Sequence, residues 1–449
     1  MNKHLILTLV MFLVLIISAC GGAAQPAQPP QPVTPAVTAP AQETQPAPVV
    51  GAEAIYFYGL EKTTEPVTIR LWLDFEDWAQ ELMDAFTLLH PNVSFEFTEI
   101  SNVESRELML LDGPAGIGAD VWAQPHDRIA LAIMDGLVEP VPPALQSKWE
   151  QELQASSISA VKYGGRMHGA PFQMENIALF YNRDIWGPTA PETWEEILEF
   201  SLTHNNPATN DWTMGWNPRS AFNNFIWLTA GGMELFGPNH DDFRSPGFDT
   251  PEAARGLEKH LRMRQLLDLP TAEIDFNTGE GRFRAGEVPF SITGPWAIQD
   301  TLSNGVNFGT ARIPTIDGVQ PWAFSNGIVA HVSSFANPEA RPWAYAFIDF
   351  MVSHEGALIM YEARNTMTTR LDIDTIPGLR DDPFLLGIAQ QAPYTIPTPT
   401  IPEIGMVWDS LRDMFQFSWD GDLTIPEAQE RAMETYRTLL TVAGIDVDF

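Results

Sequence analysis

The stretch from Gly118 to Arg128 sets chemistry-bearing side chains directly after a short apolar run. Val121-Trp-Ala123 leads through Gln124 and Pro125 into His126, Asp127 and Arg128. A buried strand that releases polar groups at its carboxyl end puts them where open α/β sheets bind ligands. The Asp127 carboxylate accepts hydroxyl hydrogens and the Arg128 guanidinium offers a planar fork of N–H donors, a set suited to a polyhydroxylated ligand. The competing reading is a surface ion pair at the start of the next helix. Gly113, Gly116 and Gly118, just upstream, do not make a phosphate cradle, because no Gly-Lys-Ser/Thr follows them.

Catalysis finds little support elsewhere in the chain. Asp127 and Glu175 could be imagined as the paired carboxylates of a glycosidase. No Gly-x-Ser-x-Gly, no His-Glu-x-x-His and no nucleophilic cysteine accompanies them. The His, Asp and Glu residues show no metal-ligand spacing. No catalytic motif therefore supports an enzyme, and neither a cofactor nor a metal is expected.

Charge and cysteine usage narrow the setting. A net charge of −33 makes nucleic acid an unfavourable partner and argues against attachment through anionic lipid headgroups. The single cysteine, Cys20, excludes an intrachain disulfide or a cysteine metal site. Lys3, the apolar run Leu5 to Ile17 and the small residues Ser18-Ala19 precede it, which is a secretory signal. Ile-Ser-Ala-Cys resembles a bacterial lipobox, so residues 1–19 are expected to be removed and Cys20 lipidated. Residues 20–52 continue as a Pro/Ala/Gln-rich tether, which at about 3.1 Å per residue reaches on the order of 100 Å. The apolar residues 54–62 are left unassigned.

Stepping through the rest of the chain, alternation and helical spacing follow one another. Val67 to Leu73 reads as a strand ending in Asp74-Phe-Glu76, and Trp78, Leu82, Ala85, Phe86 and Leu89 mark a helix. A strand from Val93, a helix over 104–111, the strand before His126 and a helix from Ile129 complete a pattern typical of a parallel, doubly wound lobe. Further helices are expected at 193–198 onward, opened by the capping box Thr193-Trp-Glu-Glu196, and at 221–230, 251–267, 342–352, 383–391, 403–417 and 426–443. Strands are expected near 306–313 and 322–332.

Several landmarks stand in one order: Asp120 to Arg128, Tyr163-Gly-Gly-Arg before Glu175, Leu179-Phe-Tyr-Asn-Arg-Asp184, Thr193-Trp-Glu-Glu-Ile197, Phe283-Arg-Ala-Gly-Glu287, Thr293-Gly-Pro-Trp296, and Pro399 to Arg412 with Trp408. Together they resemble the maltose/maltodextrin-binding proteins and, more broadly, the extracellular carbohydrate-binding lipoproteins of ABC importers. The resemblance covers about residues 66 to 442. It implies an α/β, two-lobed periplasmic-binding-protein-like fold, each lobe a mainly parallel sheet flanked by helices. The first lobe would comprise 66–173 plus 330–377 and the second 178–325 plus 384–449. Crossovers near 174–177, 325–330 and 377–383 would form the hinge. It also implies capture of a carbohydrate by lobe closure, delivery to ABC permease subunits served by a cytoplasmic ATPase, and a monomer anchored outside the cell membrane.

Carried over position by position, Asp127 and Arg128 match the family's Asp-Arg pair, Glu175 the glutamate at the first crossover, and Trp296 and Trp408 the aromatic platforms. Arg412 matches the arginine one turn after the late tryptophan. Asp74 and Glu76 lie where the family has charged ligand contacts. Core packing is the rival reading for Trp296 and Trp408, and a crossover ion pair for Glu175. The chain also departs from the family. Gln124 and Pro125 stand where a maltose binder has a stacking tryptophan, and Asp409 replaces a tyrosine. Arg219-Ser-Ala replaces Glu-Pro-Tyr, leaving Trp216 or Phe222 as substitute aromatics. A smaller or differently linked sugar fits these changes as well as maltodextrin does. A polyamine held by Asp74, Glu76 and Asp409, or a glycerol phosphate ester, is the alternative class.

Overall fold

The computed structural model describes residues 55–445. The signal sequence, Cys20 and the tether expected from the sequence lie outside them. Ten strands form the two main sheets: β1 (Val67–Leu73), β2 (Val93–Glu99), β3 (Val121–Pro125), β4 (Ala170–Asn176), β5 (Ala178–Asn182), β6 (Phe290–Thr293), β7 (Phe308–Ala311), β8 (Ala323–Val332), β9 (Met367–Thr368) and β10 (Thr395–Pro397). The first sheet has seven strands in the order β9-β4-β8-β3-β1-β2, with β10 also pairing to β8; the second is β6-β5-β7.

The helices that bear on the site are α1 (Glu76–Leu89), α2 (Ser105–Asp112), α3 (Ala221–Ala230), α4 (Pro251–Arg262), α5 (Phe276–Arg284), α6 (Ile298–Ser303), α7 (Arg341–Met351), α8 (His354–Arg364), α9 (Pro383–Ala389), α10 (Ile404–Asp420) and α11 (Ile425–Val442).

The seven-stranded sheet grows from the pattern that the sequence predicts. Ile69, Leu71 and Leu73 on β1 are fully buried, and so are the central residues of β3. Helix α1 turns Trp78, Ala79, Leu82, Met83 and Phe86 onto the sheet, the stripe expected of a 3.6-residue period. Strands β1, β2 and β3 run parallel, joined through α1 and α2. Pairing then changes sense. β8 lies antiparallel to both β3 and β4, and β9 antiparallel to β4. The sheet is therefore mixed rather than mainly parallel. A late strand, β8, inserts between β3 and β4, and such a long-range insertion is free to choose its direction in a way that a short strand–helix–strand unit is not.

The second sheet also corrects the mainly parallel expectation: β5 pairs antiparallel with both β6 and β7. Leu179 and Tyr181 point into one apolar cluster with Ile292 and Trp194, while Ala178 and Phe180 point into another with Phe308 and Leu385. The period of two thus serves two cores, one on each face. Strands β4 and β5 are separated by Ile177 alone, so the chain leaves one sheet and enters the other within a single residue.

Several elements escaped the sequence reading, and two of them bear on the packing of the cores. Residues 55–62 form a hairpin that packs on the first core, with the Lys62 ammonium 4.1 Å from the Phe57 ring centroid and 4.4 Å from that of Trp343. Helix α8 was not expected either. Ser353 caps it by accepting from the Gly356 N–H at 3.2 Å. Its Met360 belongs to the core beneath the seven-stranded sheet and its Ala357 to the core beside β5, so α8 is packed between two cores. Among the described residues no helix is long and apolar enough to cross a membrane.

Candidate functional site

The carboxyl end of β3 delivers His126, Asp127 and Arg128 into a short turn, where His126 and Asp127 are almost wholly buried. The His126 ring is held on both sides. Its Nδ1 accepts from the Gly327 N–H at 3.0 Å, so Nε2 carries the proton and donates to the Thr398 carbonyl at 2.9 Å. This ring ties the turn to β8 and to the segment after β10. Beside it, the Asp127 Oδ2 accepts from Trp408 Nε1 at 3.1 Å. A carboxylate from the first sheet and an indole from α10 therefore meet directly.

Trp408 is not alone. Its ring lies 5.5 Å from that of Phe324, edge-on, and 6.5 Å from that of Phe222, which is itself stacked against Phe324 at 6.0 Å. Phe324 is fully buried and backs the two partly exposed rings. Of the two substitute aromatics that the sequence offers, Phe222 joins this group. Trp216 does not: it is fully buried, donates to Asn224 Oδ1 at 3.0 Å and packs edge-on against Trp419. Gly279 lies directly against its backbone, where a Cβ would come 2.7 Å from the Trp216 carbonyl.

The exit of β1 carries Asp74, Phe75 and Glu76. Asp74 accepts from Asn102 Nδ2 at 2.6 Å. Burial pushes its carboxyl up to about 7, against the pull of the Asn102 amide and the Arg364 charge. On β4, Glu175 accepts from Gln173 Nε2 at 2.6 Å. Burial, reinforced by the Asp74 charge, pushes it up to about 8. The two carboxyls therefore act on one another, and among the described residues neither has an ion-pair partner of its own. Glu76 is exposed at the first turn of α1.

Trp296 is partly buried and stands in a short turn after β6. A Cβ on Gly294 would come 2.2 Å from its ring, so the indole lies directly over a glycine. Its Nε1 donates to Glu280 Oε2 at 3.2 Å. Glu280, on α5, is almost fully buried, which pushes its carboxyl up to about 7 despite nearby Thr293 and Arg284.

Three further candidates are turned elsewhere. Gln124 is buried inside the first body, its amide nitrogen 3.1 Å from His331 Nε2. The strand's alternation sends its side chain to the face opposite that of Ala123. The Arg128 guanidinium reaches α2 and the turn before it, where Glu107 Oε2 at 3.3 Å and the Val103 carbonyl accept from it. Arg412 is half-exposed and paired with Asp409 on its own helix.

Sequence reasoning missed Glu280 and Arg364. The first sits one turn into a helix opened by the Asp275–Thr278 capping box, a signal present but not used. The second lies on the unrecognised α8. Among the described residues, no group of three His, Cys, Asp or Glu is placed to hold a metal ion. A concavity of about 450 Å³ beside α11 is lined by Arg244, Asp249, Glu252 and Met433, shares none of the residues above and has no aromatic in its lining.

A mixed α/β architecture with two sheets joined at Ile177 is the architecture of the solute-binding class. The chain belongs to the family of bacterial extracellular solute-binding proteins, whose model matches residues 81–385. It is similar to the maltotriose-binding protein of Pyrococcus abyssi, 25% identical over 336 residues, covering 74% of this chain and 72% of that one. It is also similar to the galactooligosaccharide-binding protein of Bacillus subtilis, 24% identical over 381 residues, covering 81% of this chain and 87% of the relative. Among solved structures, the Thermus thermophilus maltotriose binding protein bound with maltotriose superposes with a TM-score of 0.75, at 23% identity, covering 83% of this chain and all of that one.

Proposed function

We propose that this protein captures an oligosaccharide between its two sheets and delivers it, by hinged closure, to the permease of an ABC importer. One observation carries the reading: Trp408 on α10 and Asp127 at the end of β3 are joined by a hydrogen bond at 3.1 Å, so a flat apolar ring and a carboxylate act in one place. A sugar has apolar faces and a rim of hydroxyls, and it needs both kinds of group at once. Phe222 and Trp296 add aromatic surface, and Asp74 and Glu175 add hydroxyl acceptors. With raised pKa values, these two carboxyls hold protons near neutrality and can also donate.

The lobes of this reading are 66–173 plus 330–377 and 178–325 plus 384–449, with β10 and the start of β8 crossing from the second lobe into the first sheet. Cys20 carries the lipid that keeps the protein at the outer face of the membrane, and the tether lets it reach ligand in the surrounding water. The protein works as a monomer and releases its sugar unchanged.

Calorimetric titration and thermal melting of the mature chain against maltotriose, galactooligosaccharides and spermidine test the proposal. A ligand at 100 times its Kd adds about 2.7 kcal/mol, a rise of about 3 °C for a chain of this size. A saturable rise with one sugar class, without hydrolysis of the sugar, is the expected result. A response to spermidine alone would give the site to Asp74 and Glu175 as a cation trap and overturn the sugar reading.

A further inference from the structure

Trp296 is fastened at more points than a residue that merely fills space. Its indole lies over Gly294, and its N–H is taken by Glu280 Oε2 at 3.2 Å. Its carbonyl accepts from Arg364 Nη2 at 3.2 Å. Arg364 comes from α8, and its side chain is 7% exposed. The same guanidinium donates through Nη1 to Asp300 Oδ1 on α6 at 2.9 Å and to Asp77 Oδ2 on α1 at 3.3 Å. Asp300 in turn accepts from Arg284 Nη1 at 3.0 Å, and Arg284 lies one turn beyond Glu280 on α5. The contacts form a closed circuit: Glu280, Trp296, Arg364, Asp300, Arg284 and back along α5.

Geometry gives Arg364 a second constraint. Its Cζ stands 3.9 Å from the centroid of the Phe75 ring. Phe75 has φ 57°, the left-handed region that side chains with a Cβ avoid. This strained turn, between Asp74 and Glu76, sets the ring under the guanidinium, where a cation–π contact offsets part of the strain. Arg364 thus joins the exit of β1, the start of α1, α6 and the main chain of Trp296. It belongs to neither sheet, and it touches the segments that follow β1 and β6.

We propose that Glu280 and Arg364 are positioning residues for Trp296, locking its ring edge and its carbonyl so that the indole stands as a preformed platform between the two bodies. The proposal rests on the reading that Trp296 faces the sugar. A preformed platform matters because ordering a free indole on binding would cost rotamer entropy that the ligand contacts must offset.

The test is a double-mutant cycle on the full mature chain, with maltotriose as the probe, together with ¹⁹F spectra of the 5-fluorotryptophan-labelled protein. Trp296→Phe assigns the resonance. Glu280→Leu and Arg364→Met should each weaken maltotriose binding about tenfold, whereas Glu280→Gln, which keeps an acceptor, should stay within about threefold of the parent. In a Trp296→Ala background the Glu280→Leu loss should vanish, because a positioning residue has nothing left to position. In the unliganded protein, both single variants should broaden or shift the Trp296 resonance. A loss that persists in the Trp296→Ala background, or a Trp296 resonance unmoved by either variant, overturns the proposal. Failure of the parent chain to bind any sugar would sink the proposed function instead, and the ¹⁹F spectra would still decide whether these residues hold the ring.

Discussion

Asp127 and Arg128 are neighbours in sequence and part company in the fold. The carboxylate accepts from Trp408, while the guanidinium is held by Glu107 and the Val103 carbonyl. Their substitutions should therefore differ. Asp127→Ala is expected to weaken maltotriose binding by about 10- to 100-fold, the range for a lost hydrogen bond to a charged group, and Arg128→Ala by less than about threefold. Calorimetry on the two variants checks this, and equal losses would put Arg128 back in the ligand shell.

A pH effect belongs to the same scale. Asp74, Glu175 and Glu280 rise from 3.8, 4.5 and 4.5 to about 7, 8 and 7 in the folded protein. Between roughly pH 4.5 and 8 the folded state therefore keeps protons that the unfolded chain has released, so stability falls as pH rises through this window. Below it both states are protonated, and above it both are ionised and the loss is complete. Urea midpoints should drop from pH 5 to pH 8, and Glu175→Gln should flatten part of that slope.

At the scale of elements, close approach decides more than propensity. Helix α9 lies so near β7 that a Cβ on Gly387 would come 2.1 Å from Thr310 Oγ1 and 2.3 Å from the Thr310 carbonyl. The same hydroxyl donates to the Phe384 carbonyl at 2.6 Å, so helix and strand cannot simply move apart. Gly387→Ala should destabilise the protein by about 1–3 kcal/mol, read from urea unfolding. The amphipathic helices were legible because their buried residues recur at three and four: α1 and α10 match their expected spans closely. Helix α8 was not, because it is packed between two cores. Apolar residues on two of its faces blur the single stripe that a periodicity argument needs.

For the whole molecule, sugar bound between the two bodies should favour a closed arrangement by its differential affinity for it. Small-angle scattering should therefore show a smaller radius of gyration with saturating maltotriose. An unchanged radius would argue for binding without closure. The proposed lipid anchor rests on one residue: Cys20→Ser should move the protein from the detergent phase to the aqueous phase in a phase-partition assay while sugar affinity stays the same.

What the sequence determined by itself is local. Alternating and helical apolar periods, the glycine before Trp296 and the aspartate after β3 place many of the elements and name several candidate residues, because period and turn chemistry act over a few residues. The tertiary structure decided the rest: that Gln124 and Trp216 face inward, that Phe222 and Trp408 share the buried ring of Phe324, and that the Arg128 guanidinium pairs with Glu107. It also decided the direction of β8 and the pairing of Glu280 and Arg364 with Trp296. Each of these joins residues far apart along the chain. Whether a side chain faces a ligand or a core is set by what folds against it, and nothing in its own neighbourhood records that.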